Sequence, residues 1–321
     1  MKFPVFDLHC DTSLALLGKE LNEVGSLREN GYHFDLIRAG EYPAFVQCFS
    51  CFTTPAMEQW YHKSPVQVFE LELATILREI EKNADRLSIA YHPSDIISNC
   101  EKGLMSAILT IEGPAGFGYD PALLEDLYKI GFRIITLGWN ESNPLAGSHI
   151  TGEGLSELGR EYVREAQRLG MLIDVSHISD QAFWDIMDIT NGSIIASHSN
   201  SRMIQDHSRN ITDEMFRSIC QTGGVVGINF YTDFIGGNGD LYHAADHVLH
   251  FLELDPSGKH VALGADLDGC DTLPAGFDGV QGYTAFADVL LKRGVSEETV
   301  MDIFWNNALG VFQHAVHDNK K

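Results

Sequence analysis

No uninterrupted apolar stretch in this chain reaches the length a bilayer-spanning helix needs, so a membrane span is not expected. Nor does an apolar leader precede the first candidate functional residues at positions 7–11, which argues against a secretory signal. The end Asp318-Asn319-Lys320-Lys321 lacks the hydrophobic tail of a lipid-anchor signal. Positive charge is scarce: 22 Lys and Arg stand against 45 Asp and Glu, a net charge of −23. Such a chain repels phosphate backbones and anionic lipid surfaces, which excludes nucleic acid and membrane as natural partners. Cysteine is sparse as well. The six, at 10, 48, 51, 100, 220 and 270, are too scattered for a disulfide framework and read as reduced thiols of a cytoplasmic protein. Cys48-Phe49-Ser50-Cys51 is a lone CxxC without a second pair, and it reads as two small packing residues. No linker, low-complexity tract or charge block divides the chain, so residues 1–321 are expected to form a single domain.

What the chain does have is alternation. Strand-like apolar runs fall at 5–11, 44–52, 106–112, 132–139, 172–177, 193–198, 225–230 and 261–266. A short extra strand at 87–91 suggests a small flanking hairpin. Between them lie amphipathic helices: Phe69, Leu73, Ile76, Leu77 and Ile80 keep helical spacing, as do Leu155, Leu158, Tyr162, Ala166 and Leu169. Gly131 and Gly170 occupy C-cap positions; Ser179, Thr212 and Ser296 fit N-caps. Eight strands alternating with helices predict an α/β fold, a (β/α)8 TIM-type barrel with some distortion and a small extra β element, with a doubly wound sheet as the rival. Turns from helix back to strand are tight, whereas the segments after strands, at 13–43, 140–154, 231–243 and 269–283, are long. In a barrel those long loops build the active face.

Chemistry-bearing residues cluster at that same face. His9 and Asp11 end the first run and share one side of a strand, while Cys10 turns to the other. Glu112 ends the run 106–112 just before Gly113-Pro114, and a buried carboxylate there needs a metal, an arginine or several donors. With two oxygens it could bridge two metals. His177, His198 and Asp266 each end a further run. Any one of these alone is weak. Five ligand-type residues and a further acid at one end of five strands point to a divalent-metal centre, zinc above all.

These motifs resemble the membrane (renal) dipeptidases, zinc peptidases of the amidohydrolase superfamily. The likeness runs from Asp7 to about Phe312. It rests on Asp7-Leu8-His9-Cys10-Asp11, Ile111-Glu112-Gly113, Leu172-Ile173-Asp174-Val175-Ser176-His177, Ala196-Ser197-His198-Ser199 with Arg209-Asn210 eleven positions on, and Gly264-Ala265-Asp266-Leu267-Asp268-Gly269. The resemblance implies two zinc ions per chain, one on His9 and Asp11, the other on His177 and His198, with Glu112 bridging both. It implies that Arg209 grips the substrate carboxylate, a role its planar fork suits, and that Asp266 handles the proton and meets the substrate amine. Asp268 shares the strand parity of Asp266, so parity does not separate them; motif position favours Asp266. Two positions depart from eukaryotic relatives: a histidine that steadies the tetrahedral intermediate is Trp139 here, and a tyrosine that assists carboxylate binding is Phe234. His149, ten residues after Trp139, is a candidate replacement.

The resemblance thus implies a two-zinc metallo-dipeptidase for L-L and L-D dipeptides, and a homodimer is open. The alternatives are another amidohydrolase-type reaction (lactonase, deaminase or cyclic amidase) and a non-catalytic ligand-binding barrel. His243, His247 and His250 fall at helical spacing without an HExxH pattern and read as a solvated helix face.

Overall fold

A computed structural model describes residues 2–23 and 25–316 of the chain; the C-terminal tetrapeptide at 318–321 lies outside the described residues. The apolar runs become parallel strands: β1 (Val5–Cys10), β2 (Phe45–Phe52), β3 (Leu87–Ile89), β4 (Met105–Glu112), β5 (Phe132–Thr136), β6 (Leu172–Asp174), β7 (Ile194–Ile195), β8 (Val226–Ile228) and β9 (Val261–Leu263). Eight of them run in the order β7-β6-β5-β4-β2-β1-β9-β8. The ring closes where Ala196 pairs with Val226: the Ala196 N–H donates to Val225 O at 3.0 Å and the Gly227 N–H to Ala196 O at 2.8 Å. This is the expected (β/α)8 barrel.

The extra element differs from expectation. β3 pairs parallel to β4, Leu87 beside Met105 and Ile89 beside Ala107, so no hairpin forms. One edge of β4 is taken by β2 along its length; β3 and then β5, which begins opposite Leu109, share the other edge.

The barrel interior can be read from which residues gather together. Phe6 and Leu8, Val46 and Cys48, Ile108, Ile134, Leu172, Ile195, Val225 and Ala262 form one buried cluster with Ala308, Val311 and Phe312. Only the inside of a barrel brings together side chains from every wall, and the helix Asn307–Ala315 plugs its amino-end floor. Alternate residues such as Val5, Phe49, Cys51, Leu109 and Ile135 pack outward against the helices. Cys48 and Cys51, three apart, therefore face opposite sides of the wall, and both are buried as small apolar groups.

The expected caps form. Ser179, Thr212 and Ser296 accept hydrogen bonds from the N–H groups of Ala182, Met215 and Thr299, and Gly170 ends the helix Glu157–Leu169 in the left-handed region. The solvated histidine face, however, is corrected at its centre. His243 and His250 reach Asp240 and Asp213, but His247 is fully buried. Its Nδ1 accepts from the Ser201 N–H at 3.0 Å and its Nε2 donates to Ile235 O at 2.9 Å. Two backbone groups across the helix needed a partner, and spacing along one helix does not reveal that.

Burial pushes the pKa of His247 down to about 4. Above an ordinary histidine pKa of about 6.5 both folded and unfolded chains hold it neutral, and its contribution is complete. As the pH falls from there toward 4 the unfolded chain binds a proton that the folded one refuses, and stability is lost. Across that window the loss from this group should reach at most about 3 kcal/mol. Denaturant titrations of wild type and His247→Gln at several pH values should show a flatter acid limb in the variant.

Candidate active site

The strands end one to three residues before several site residues, because the backbone there cannot remain extended. His177, Asp266 and Asp268 have φ of 70°, 60° and 67°, in the left-handed region that non-glycine residues avoid. Such conformations cost roughly 1–3 kcal/mol each and persist where the surroundings impose them. His9 is aimed by another irregularity. Asp7 pairs with Gln47 and Cys10 with Phe49, so three steps along β1 match two along β2. One extra residue enters β1 between Asp7 and Cys10. It allows Leu8 to fill the interior and His9 to face the mouth, while Cys10 still points outward.

All five expected ligands converge. His177 Nε2 lies 2.8 Å and His198 Nε2 3.8 Å from Glu112 Oε1, with the two ring nitrogens 2.9 Å apart. On the other side His9 Nε2 is 3.2 Å from Glu112 Oε2, 3.4 Å from Asp11 Oδ2 and 3.8 Å from Asp266 Oδ1. Glu112 thus divides its oxygens between two groups. Zinc bound at about 2.0–2.1 Å places neighbouring tetrahedral donors about 3.3 Å apart, and these separations bracket that spacing. Asp11 Oδ1 is buried without a hydrogen-bond partner, an orphan acceptor that a cation would satisfy. Burial raises the Glu112 carboxyl to about 7 and holds His177 and His198 well below the ordinary imidazole range. Neutral imidazoles are the ligating form. The donor set therefore suits divalent-metal binding.

Neighbouring groups choose the ring tautomers. Asn140 Oδ1 accepts from His177 Nδ1 at 2.9 Å. His198 Nδ1 donates to Ser197 Oγ at 2.7 Å, and that hydroxyl donates to Asp174 Oδ2 at 2.5 Å. Each arrangement leaves Nε2 bare toward Glu112. Asp174 also accepts from Thr136 Oγ1 and from the N–H groups of Ser176 and Ser197, which fixes the β6 and β7 ends together. Asp7 does the same for β1: it accepts from His9 N–H, Gln47 Nε2, Ala265 N–H and Tyr283 Oη.

Asp266 and Asp268 part company. Asp266 Oδ2 accepts from Asn229 Nδ2 at 3.1 Å, leaving Oδ1 toward His9. Asp268 turns away, accepting from Thr12 Oγ1 and the His33 N–H at 2.6 Å each. The site closes over Gly269. A β-carbon there would collide with Asp11 Oδ2 and Asp266 Oδ1. Gly269→Ala should weaken divalent-metal binding about 10–100-fold, read as metal per chain after equilibrium dialysis, while the circular-dichroism spectrum stays unchanged.

Above this cluster lies a cavity of about 380 Å³, lined among others by Trp139, His149, Arg209, Tyr231, Phe234 and Asp266. Arg209 is 3% exposed and its Nε has no partner. Its other nitrogens reach only Ser199 Oγ at 3.4 Å and His198 O at 3.2 Å. Among the described residues no carboxylate forms an ion pair with it, and its guanidinium lies 5.3 Å from the Phe234 ring centroid. Trp139 builds an aromatic wall with Phe52 and Trp60 at 5.0 and 5.6 Å, and stands 6.1 Å from the His177 ring. His149 does line the cavity, but both ring nitrogens are engaged, Nε2 with Asn140 Oδ1 at 2.9 Å and Nδ1 with Ser208 Oγ at 2.8 Å. Burial, with Arg209 second, pushes its pKa to about 3, so it is a neutral ring.

A parallel barrel gathering imidazoles and carboxylates at the carboxyl ends of its strands is the architecture of a metal-dependent hydrolase. The whole chain, residues 1–321, matches the family model for membrane dipeptidase (peptidase family M19), and the protein belongs to that family. It is similar to two uncharacterized dipeptidases of Schizosaccharomyces pombe. One is 32% identical over 305 residues, covering 89% of this chain and 73% of the relative. The other is 31% identical over 244 residues, 72% of this chain and 60% of that relative's length. A solved metallo peptidase of Rhodobacter sphaeroides, bound to a phosphinate mimic of L-Ala-D-Ala, superposes with a TM-score of 0.87 at 25% identity over 98% of this chain and 100% of its own. A solved dipeptidase AC gives the same TM-score at 26% identity, covering 98% of this chain and 99% of its own.

Proposed function

We propose that residues 1–321 act as one metallo-dipeptidase domain. In this reading His9 and Asp11 hold one zinc, His177 and His198 a second, and Glu112 both. The observation that carries it is Arg209: a buried guanidinium without a carboxylate partner, lining a small cavity that Asp11, Glu112 and His177 also line. A buried cation without a partner is costly, and a substrate carboxylate would relieve that cost with paired charge-assisted hydrogen bonds. A cavity of about 380 Å³ suits two residues better than a long peptide.

Bound zinc would supply the Lewis acidity that polarises the scissile carbonyl and makes water acidic enough to attack near neutral pH. The chain's own residues do the rest. Arg209 fixes the carboxylate end of the substrate, and Asp266, its other oxygen held by Asn229, offers Oδ1 to take the proton of the attacking water and return it to the departing amine. Asp266 and the acidic wall also attract the substrate ammonium. Trp139 and Phe52 exclude water from one side. Acceptance of a D-residue at the C-terminal position is supported by the L-Ala-D-Ala mimic in the Rhodobacter sphaeroides relative. A cytoplasmic location is supported by six free thiols.

The test is a panel of L-L, L-D and D-D dipeptides assayed for free amino acids, beside C-terminally amidated versions. Unmodified L-L or L-D substrates should be cleaved and amides spared. Chelation should reduce turnover about 10²-fold or more, restored by zinc. Absence of cleavage in zinc-replete protein, or equal cleavage of amides, would overturn the reading.

A further inference from the structure

The opposite end of the barrel carries a second cluster of ligand-type side chains. Cys220 lies near the end of the helix Asp213–Gln221, Asp255 caps the helix Leu241–Leu254, and His260 immediately precedes β9. The thiol sulfur, a carboxylate oxygen and a ring nitrogen all lie within 4.8 Å of one another. All three are partly exposed, so an ion can arrive from solvent without unfolding the chain.

Two of the donors are already oriented. His260 Nδ1 donates to Gly224 O at 2.7 Å, which leaves the Nε2 lone pair free, the arrangement typical of a ligating histidine. Asp255 is held by Ser257, whose N–H reaches Oδ1 at 3.2 Å and whose hydroxyl reaches Oδ2 at 2.8 Å. The frame around them is firm: Phe216 and Phe251 of the two helices stack at 4.3 Å, and the Val226 N–H donates to His260 O at 2.9 Å.

We propose that Cys220, Asp255 and His260 form a further metal site, separate from the mouth of the barrel, for a divalent ion of zinc's class. Sulfur, imidazole and carboxylate together favour zinc or cobalt over magnesium or calcium, which require oxygen-rich shells. On binding, the Cys220 S–H bond breaks, a sulfur–metal bond forms and the proton leaves to solvent. A thiolate, a carboxylate and a neutral imidazole around a dication sum to zero charge, and the fourth tetrahedral position stays open to water. The ion would tie the ends of two outer helices to the start of β9, staple-fashion.

Cobalt is the probe. Metal-free full-length protein titrated with Co2+ should develop a near-ultraviolet thiolate-to-cobalt charge-transfer band, a signature that nitrogen and oxygen donors at the mouth cannot give. The band should persist in Cys270→Ser, because that thiol lines the mouth cavity, and vanish in Cys220→Ser. His260→Gln and Asp255→Asn keep the thiol and should weaken cobalt binding at this site about 10-fold or more. No band in the wild type, a band surviving in Cys220→Ser, or unaltered affinity in both thiol-bearing variants would overturn the proposal. Because the readout is sulfur-specific, neither result bears on dipeptide cleavage.

Discussion

Glu112→Gln should reduce turnover of the best dipeptide by at least about 10²–10³-fold, with the folded structure preserved. The substitution is nearly isosteric and replaces a buried carboxylate with a neutral amide, so packing at the end of β4 should survive. What changes is charge and acceptor count. The two Glu112 oxygens serve different histidine groups, 2.8 Å from His177 on one side and 3.2 Å from His9 on the other. An amide offers one oxygen and one NH2 group, and that NH2 would point at a cation or at an imidazole lone pair. Removing a single oxyanion-hole donor from an acyl-transfer enzyme costs about 2.7–4 kcal/mol, and loss of a carboxylate shared by both histidine groups should cost at least as much. Metal analysis should show fewer than two zinc ions per chain. Full zinc occupancy together with wild-type turnover would remove the bridge from the account.

Arg209→Met should separate binding from folding. Removing one partner of a desolvated, hydrogen-bonded charge pair typically costs about 2–5 kcal/mol, so kcat/KM for dipeptides should fall roughly 30-fold or more, and by over 10²-fold near the middle of that range. The free protein, in contrast, loses a buried guanidinium that has no carboxylate partner and one nitrogen unbonded. Its replacement by an apolar chain of similar length, lying near the Phe234 ring, should leave the melting temperature unchanged or raise it. A lower melting temperature with unchanged kcat/KM would mark Arg209 as structural. If a carboxylate-free substrate were the natural one, its turnover would be indifferent to this change.

Much of this arrangement was readable in the chain. Apolar runs ending in His9 and Asp11, Glu112, His177, His198 and Asp266, with long loops following and tight turns preceding, point to a barrel and to the end that carries the chemistry. The resemblance to the dipeptidases added Arg209, whose solitude only the folded molecule reveals. Other features depend on partners distant in sequence. Nothing near Asp174 announces that its carboxylate would meet Ser197 and, through it, His198. Asn140 and Asn229 look like ordinary loop and strand-end polar residues until His177 and Asp266 stand beside them. Parity left Asp266 and Asp268 equivalent because they stand two residues apart; both in fact leave the extended region, and it is the Thr12 and His33 contacts that draw Asp268 aside. His247 misled for the same reason: the backbone groups it satisfies belong to other elements.

The additional residue between Asp7 and Cys10 gives the chemistry a dependence on counting. Remove Leu8 and regular alternation returns: His9 becomes the one inward residue between Asp7 and Cys10, and its imidazole would drop into the interior place that Leu8 now fills, away from the Glu112 carboxylate. Every candidate ligand could be retained and the centre still be dismantled. For this barrel the number of residues in its first strand is as much a chemical specification as their identity.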